Sequence, residues 1–236
     1  MSTFWTAWFL CQVDQLQPDH IRSLVTDLGS TGFRPPAGDG GFYCTSADGA
    51  GSIVLESVEA AAAWLANGEG LLPLQVGESD VSISVHRRDG ILHLEMTGLP
   101  DEPRFDVVAI STLATRLPRE WGAARAALEV SLRVLPFTFA YAMDENAQEA
   151  LIPWNCVHRR IDEGRMPPFL PWLAAVPEGS ILLPQLRKAA EVAGRSLSSI
   201  SEAWVLTLSD DPSPQSVRTV LRASALWRDE TRDAGC

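Results

Sequence analysis

Two histidines and a glutamate are the residues of this chain whose spacing is most suggestive of chemistry. Residues 81–96 alternate apolar and polar side chains on either side of Asp89-Gly90, a pattern typical of a β-hairpin with a two-residue loop. The predicted register places His86 directly opposite His93, with Glu95 two residues further along the same face. Two imidazoles and a carboxylate would form an open three-ligand site for zinc or a similar metal. The alternative is that these residues simply form the solvated face of a half-buried sheet.

A cysteine and a histidine two residues apart offer a second chemistry. If their segment is extended, Cys156 and His158 lie on one side of it, and Asp162 is near enough in sequence to orient the imidazole. That combination is the general arrangement of an activated nucleophile. Most cysteine enzymes, however, bring the two residues together through the fold. A thiol without a catalytic role is therefore the competing interpretation.

Asp144, Glu145 and Glu149 form an acidic cluster after a predicted strand. Paired carboxylates can serve acid–base or metal chemistry, but acidic residues are also favourable at the start of a helix. Gly38 to Gly41 is not a phosphate-binding loop, because it lacks the lysine and the strand-to-helix context of one. The patterns of serine hydrolases and protein kinases are absent as well. The sequence predicts no cofactor.

Net charge is unevenly distributed along the chain. Residues 1–106 hold fifteen acidic residues and five arginines, whereas residues 107–236 hold fifteen acidic and fourteen basic residues. An excess of negative charge argues against binding to nucleic acid or to an anionic membrane, and it favours a basic protein partner. The acidic candidates for partner binding are Asp14, Asp19, Asp27, Asp39, Asp48, Glu56 and Glu59.

Two tryptophans lie in a proline-rich segment, residues 153–178, that is predicted to lack regular structure. Connections of this length are uncommon in compact domains and are usually functional or tightly packed. Trp154 and Trp172 are therefore interpreted either as aromatic contacts for a partner or as anchors that hold the segment on the body of the protein.

The chain predicts a cytoplasmic protein. No basic residue precedes Arg22 and no apolar run reaches about 18 residues, so neither a secretory signal nor a membrane span is expected. The four cysteines have no paired spacing, which favours reduced thiols. Eighteen arginines against one lysine are a hint of a GC-rich bacterial genome.

Periodicity predicts an α+β fold with antiparallel or mixed sheets and helices packed on one face. In residues 1–76 the order strand, helix, strand, strand, helix, strand is that of a ferredoxin-like unit, and a second unit of that type is an alternative for the remainder. The predicted domains are an acidic unit over 1–100, a second α+β unit over 101–228 packed on it, and a flexible tail over 229–236.

The second half has a distinctive order of elements. A helix at 119–135 and a strand at 137–143 are followed by the loop Met166-Pro-Pro-Phe-Leu-Pro-Trp-Leu173, the strand that begins Ala203-Trp-Val-Leu, and a final helix. This half, about 110 residues, resembles bacterial immunity proteins that neutralise polymorphic toxins, in particular the families associated with type VI secretion. The resemblance implies a small, acidic, cytoplasmic α+β protein that binds one toxin. It carries over no catalytic residue.

The sequence therefore predicts a non-enzymatic module that binds another protein, with a basic toxin as the partner that the resemblance implies. The first alternative is a metal-dependent enzyme that uses His86, His93 and Glu95. The second alternative is a scaffold subunit of a larger bacterial complex.

Overall fold

A computed structural model describes residues 5–12, 15–35, 41–46, 51–67, 70–76, 79–88, 91–99, 125–144, 154–208 and 214–230. The predicted α+β class is confirmed. The chain divides into two compact units, residues 1–137 and 138–236. This division falls later than residue 100, where the sequence analysis placed it. One reason is that the ring of Phe137 packs edge-to-face on Phe9 of the first strand, with ring centroids 5.9 Å apart.

In its described residues, the first unit combines six strands with three helices. Its strands follow the order β3-β2-β4-β5-β6-β1, and each neighbouring pair is antiparallel. In chain order the elements are β1 (Trp5–Gln12), α1 (Pro18–Ser30), β2 (Phe42–Ser46), β3 (Ser52–Leu55), α2 (Val58–Asn67), β4 (Gly70–Val76), β5 (Ser79–Arg88), β6 (Ile91–Leu99) and α3 (residues 125–134).

The ferredoxin-like arrangement considered for residues 1–76 is not formed. Such a unit requires β1 to lie beside strands that come from the same 76 residues, but β1 pairs with β6 along its whole length. The β5–β6 hairpin lies between β4 and β1 in the sheet. The predicted order of elements was therefore correct, while the pairing was decided by a hairpin later in the sequence.

The register of the β5–β6 hairpin is confirmed. His86 lies opposite His93, Val85 opposite Leu94 and Ile83 opposite Met96, as the Asp-Gly loop predicts. Both strands extend beyond the predicted limits, to Ser79 and Leu99. The additional length allows β5 to pair with all seven residues of β4.

Helices α1 and α2 pack against each other, and α2 covers one face of the sheet. In α1 the buried residues Ile21, Leu24, Val25 and Leu28 recur at the predicted helical spacing. On α2, the ring of Trp64 lies over Gly70 of β4. Cys44, Leu72 and Ile83 are fully buried on the sheet.

Strand β1 is apolar on both of its faces. Its five consecutive residues from Ala7 to Cys11 are all buried. Because successive side chains of a strand point to opposite faces, both faces of β1 are covered. This explains why the segment reads as a continuous apolar run rather than as an alternating one.

The described part of the second unit contains four strands in the order β7-β8-β10-β9, again with antiparallel neighbours. Its elements are β7 (Phe139–Asp144), α4 (Trp154–Asp162), β8 (Leu173–Pro177), α5 (Leu183–Val192), β9 (Leu197–Ile200), β10 (Ala203–Thr207) and α6 (Pro214–Glu230). The prediction that residues 153–178 lack regular structure was wrong, since α4 and β8 both lie within them.

The turn after α4 is held by side chains that contact its backbone. Arg160 is buried, and its Nε–H donates to the carbonyl of Met166 at 2.8 Å. Gln185 of α5 accepts from the Met166 amide at 2.9 Å and donates to the carbonyl of Gly164 at 2.6 Å. The turn is thereby attached to both neighbouring helices, which leaves few of its backbone groups without a partner inside the protein.

Helix α6 holds the proline-rich loop that follows this turn. The Ser224 hydroxyl accepts from the Leu170 amide at 3.1 Å and donates to the Leu170 carbonyl at 2.6 Å. The indole N–H of Trp227 donates to the carbonyl of Pro167 at 2.8 Å. Phe169 and Leu170 are fully buried. The loop is therefore part of the core of the second unit, although prolines prevent it from forming a helix there.

Strands β9 and β10 form a hairpin whose two loop residues are Ser201 and Glu202, since Ile200 lies opposite Ala203. Ser201 has φ +53°, in the left-handed region that glycine adopts most readily. A non-glycine residue with positive φ is uncommon, and in hairpins it occurs mainly in tight two-residue loops such as this one. Strand β9 was not predicted, because Leu197–Ile200 contains two serines and no clear alternation.

Candidate functional site

The hairpin brings His86 and His93 together as directly opposed register positions. Glu95 lies opposite Ser84 on one side and opposite Trp8 of β1 on the other. The three predicted metal-binding positions therefore occupy one face of the sheet in adjacent rows, as the sequence analysis expected. Among the described residues, no group of three histidine, cysteine or acidic residues is found close enough together to hold a metal ion.

On the side of β1, this face of the sheet is buried. Leu10 lies opposite His93 and Trp8 lies opposite Glu95, and both of these β1 side chains are buried. Paired residues of antiparallel strands share a face, so the residues paired with Glu95 across successive strands form one row on this face. The row begins at a buried residue of β1 and ends at an exposed residue of β3. The row consists of Ser52, Thr45, Leu71, Ser84, Glu95 and Trp8.

The second predicted chemistry rested on an extended segment at Cys156 and His158, and this was wrong. Both residues lie in helix α4. Residues two apart in a helix are about 200° apart around its axis, whereas in a strand they share a side. The spacing does not bring thiol and imidazole together. Of the acidic cluster, Asp144 is the last residue of β7, while Glu145 and Glu149 lie outside the described residues.

Four of the predicted acidic partner-binding residues are placed by the structure. Asp19 lies in the first turn of α1, is strongly exposed and forms an ion pair with Arg22 at 3.2 Å. Asp27 lies on α1, half-buried, while Glu56 and Glu59 are exposed between β3 and the first turn of α2. The other three, Asp14, Asp39 and Asp48, lie outside the described residues.

Most of the negative net charge lies in the first unit. Residues 1–137 hold seventeen acidic residues and nine arginines, a net charge of −8, against −3 for residues 138–236. The exposed carboxylates described above are solvated, and a solvated charge is available to attract an opposite charge over about one Debye length, ~8–10 Å at moderate ionic strength.

Trp172 is only 8% exposed and its carbonyl accepts from the Leu208 amide at 2.9 Å. The ring thus anchors the proline-rich segment inside the second unit, which is one of the two roles considered for it. Trp154 is the first residue of α4. The sequence pattern does not reveal this interior position, because the contacts that hold the segment come from Leu208, just after β10, and from Ser224 and Trp227 of α6.

Cys11 and Cys44 are free thiols in the interior of the first unit. Burial raises the pKa of Cys11 from its ordinary value near 9 to about 12, and that of Cys44 to about 11. A buried thiol resists ionisation because the thiolate would lose its hydration. Since the thiolate is the reactive form, neither cysteine is a candidate nucleophile in the folded chain.

We expect both thiols to be unreactive in the native protein. In a chain carrying Cys156→Ser and Cys236→Ser, a thiol reagent at pH 8 should modify neither remaining cysteine until denaturant is added, and then both.

The free energy of unfolding should fall as the pH rises from about 9, because the unfolded chain releases thiol protons that the folded chain retains. For Cys11 the slope is at most about 1.4 kcal/mol per pH unit. Adding Cys11→Ala should reduce the dependence of the free energy of unfolding on pH in this range. Labelling of either thiol in the native protein at pH 8 would contradict the prediction that both are unreactive.

The structure reveals one surface feature that the sequence analysis missed. Strand β3 is the last strand in the order of the first unit, and it carries half-exposed apolar side chains: Ile53 is 44% exposed and Val54 47%. Tyr43, which lies opposite Val54 on β2, is 54% exposed. The run Ser-Ile-Val-Leu is typical of a buried strand, so no signal in the sequence distinguishes it as an edge.

Within the described residues, no helix is long and apolar enough to cross a membrane. No protein-family model and no curated protein matches the sequence.

Proposed function

We propose that this chain is a cytoplasmic, non-enzymatic protein that binds a basic protein partner through its acidic first unit. The observation that carries the proposal is the exposure of Asp19, Glu56 and Glu59 on a unit with net charge −8. Opposite charges speed diffusional encounter and select against partners of the same sign. The resemblance of the second half to immunity proteins suggests a secreted toxin as the partner, neutralised by a blocked active site.

Two further observations support this proposal. The residues that could have formed a nucleophilic pair, Cys156 and His158, lie two apart on a helix, and the thiols of Cys11 and Cys44 are buried. Free buried thiols in the described part of the chain are consistent with a reducing compartment.

Matched charge reversals test the proposal. The first variant carries Asp19→Arg, Glu56→Arg and Glu59→Arg in the first unit. The control carries Asp162→Arg, Glu178→Arg and Glu202→Arg, three exposed residues of the second unit, so both variants change the net charge equally. The binding partner to be used is the protein encoded beside this chain's gene. Its association rate is measured by surface plasmon resonance.

The first variant should associate at least about tenfold more slowly at low salt, and the control much less so. The difference should disappear near 1 M salt, where the Debye length is about 3 Å. Equal effects of the two variants would show that net charge alone matters, and would contradict binding through the first unit. Failure of the neighbouring protein to bind at all would contradict the identity of the partner as a toxin.

A second candidate function is favoured by one observation, the direct opposition of His86 and His93. A metal-dependent activity on this face requires that zinc or a similar ion bind between the two strands. Metal analysis of the purified chain and of His86→Ala distinguishes the candidates. Stoichiometric zinc that is lost in the variant would favour the metal site.

A further inference from the structure

The edge of strand β3 is the feature of the first unit that is best suited to receive another polypeptide. Among the described residues, β3 pairs with β2 and with no strand on its other side. An uncovered edge is a template for a further strand. Natural edges are usually protected by charge or proline, and Ser52–Leu55 contains neither.

The hydrogen-bonding pattern shows which backbone groups of β3 face outward. The Ser46 amide donates to the carbonyl of Gly51 at 3.0 Å, which marks these two as a hydrogen-bonded pair. Hydrogen-bonded and non-hydrogen-bonded pairs alternate along an antiparallel ladder, so Ile53 and Leu55 also direct their amides to β2. The amides and carbonyls of Ser52 and Val54 therefore face the open edge.

The side chains around this edge are arranged to contact an added strand on both faces. Val54 and Tyr43 lie side by side on one face, while Ile53 projects from the other beside the buried Cys44. All three of the exposed side chains are apolar or aromatic. An extended segment laid along β3 would cover them alternately, in the mode by which peptides add to exposed sheet edges.

Charge decides what kind of segment fits. Between Arg34 and Arg87 there are seven acidic residues and no lysine or arginine. Two of the seven, Glu56 and Glu59, are exposed immediately after β3. A second copy of this chain would bring the same negative charges to the edge and be repelled, whereas a segment with lysine or arginine would be attracted.

We propose that β3 accepts an extended, basic segment of a partner protein as an additional strand, with the Val54 amide and carbonyl as central hydrogen-bonding groups. This inference rests on the proposed function for the identity of the partner. It adds the binding mode and the location of the contact.

The test uses a fluorescent eight-residue peptide that alternates lysine and valine, with a glutamate–valine peptide as the charge control. Val54→Pro removes the outward amide and leaves the β2–β3 ladder intact, because that amide does not face β2. Val54→Thr keeps the amide and the shape of the side chain. Circular dichroism confirms that each variant is folded. Ile53→Pro serves as the contrast, since it removes a ladder amide and should destabilise the sheet.

The lysine–valine peptide should bind the wild type and Val54→Thr with affinities within about threefold, and Val54→Pro about tenfold more weakly. The glutamate–valine peptide should not bind. In hydrogen exchange, the Val54 amide should exchange faster than the Ile53 amide, and the peptide should slow it. Absence of peptide binding, or equal binding by Val54→Pro and Val54→Thr, would overturn the proposal.

The failure of this inference and the failure of the proposed function are distinguishable. If the basic partner binds wild type and Val54→Pro equally, the function stands and β3 is not the contact. If the peptide binds at β3 but no basic protein partner is found, the edge is an acceptor and the proposed function fails. A dimer of the purified chain that Val54→Pro dissociates would make a second copy the occupant and would overturn the proposal.

Discussion

Replacing Trp227 by alanine should lower the free energy of unfolding of the second unit by about 3–5 kcal/mol. Trp227 is 3% exposed, and its indole N–H donates to the carbonyl of Pro167. The substitution removes a large buried ring and also takes away a hydrogen-bond donor from the proline-rich loop. Trp227→Phe keeps most of the buried surface and loses the donor, so it should cost about 1–3 kcal/mol.

Leu226→Ala is the matched control for this prediction. Leu226 is the preceding residue on the same helix, and it is 49% exposed. Its truncation should change stability by less than about 0.5 kcal/mol. Denaturant unfolding followed by circular dichroism measures all three variants. A cost for Trp227→Ala no larger than that for Leu226→Ala would show that the loop is not held by α6.

Replacing Gly70 by alanine should destabilise the first unit by about 1–3 kcal/mol. A Cβ at this position would overlap the ring of Trp64 and would lie 3.1 Å from the carbonyl oxygen of Thr45. The carbonyl belongs to the neighbouring strand and cannot move without disturbing the β2–β4 pairing. The ring must therefore leave its position over the strand, and α2 loses part of its contact with the sheet.

Gly51→Ala supplies the comparison, since a Cβ there would meet nothing within 4 Å. It should be neutral or slightly stabilising, because alanine loses less conformational entropy on folding than glycine does. In a Trp64→Leu background, the cost of Gly70→Ala should fall by at least half. If thermal and denaturant unfolding show the same cost in both backgrounds, the ring contact is not the cause.

The elements of the first unit could be predicted because their signals are local. The helical spacing of Ile21, Leu24, Val25 and Leu28 identifies the buried side of α1. Asp89-Gly90 predicts the hairpin, and the two-residue loop sets which residues lie opposite each other, including His86 and His93. Loop geometry and alternation act over a few residues, so no knowledge of the remaining chain is needed.

The proline-rich segment shows where local reasoning failed. Proline is a reliable sign of interrupted structure, yet α4 ends before Pro167 and Pro168, and β8 begins after Pro171. What holds the loop between them is hydrogen bonding to Ser224 and Trp227, more than fifty residues away in the sequence. The predicted Cys156–His158 pair failed for the same reason, since it depended on whether that segment was extended or helical.

By itself, the sequence determined the α+β class, most elements, the hairpin register and the concentration of acidic residues in the first half. Only the tertiary structure decided that β1 pairs with β6, that Trp172 is an interior residue, and that β3 is the edge strand with exposed Tyr43, Ile53 and Val54. The physical reason is that periodicity and turn chemistry depend on neighbours in the chain. Strand order and exposure depend instead on which distant segments compete for the same hydrogen bonds and the same apolar surface.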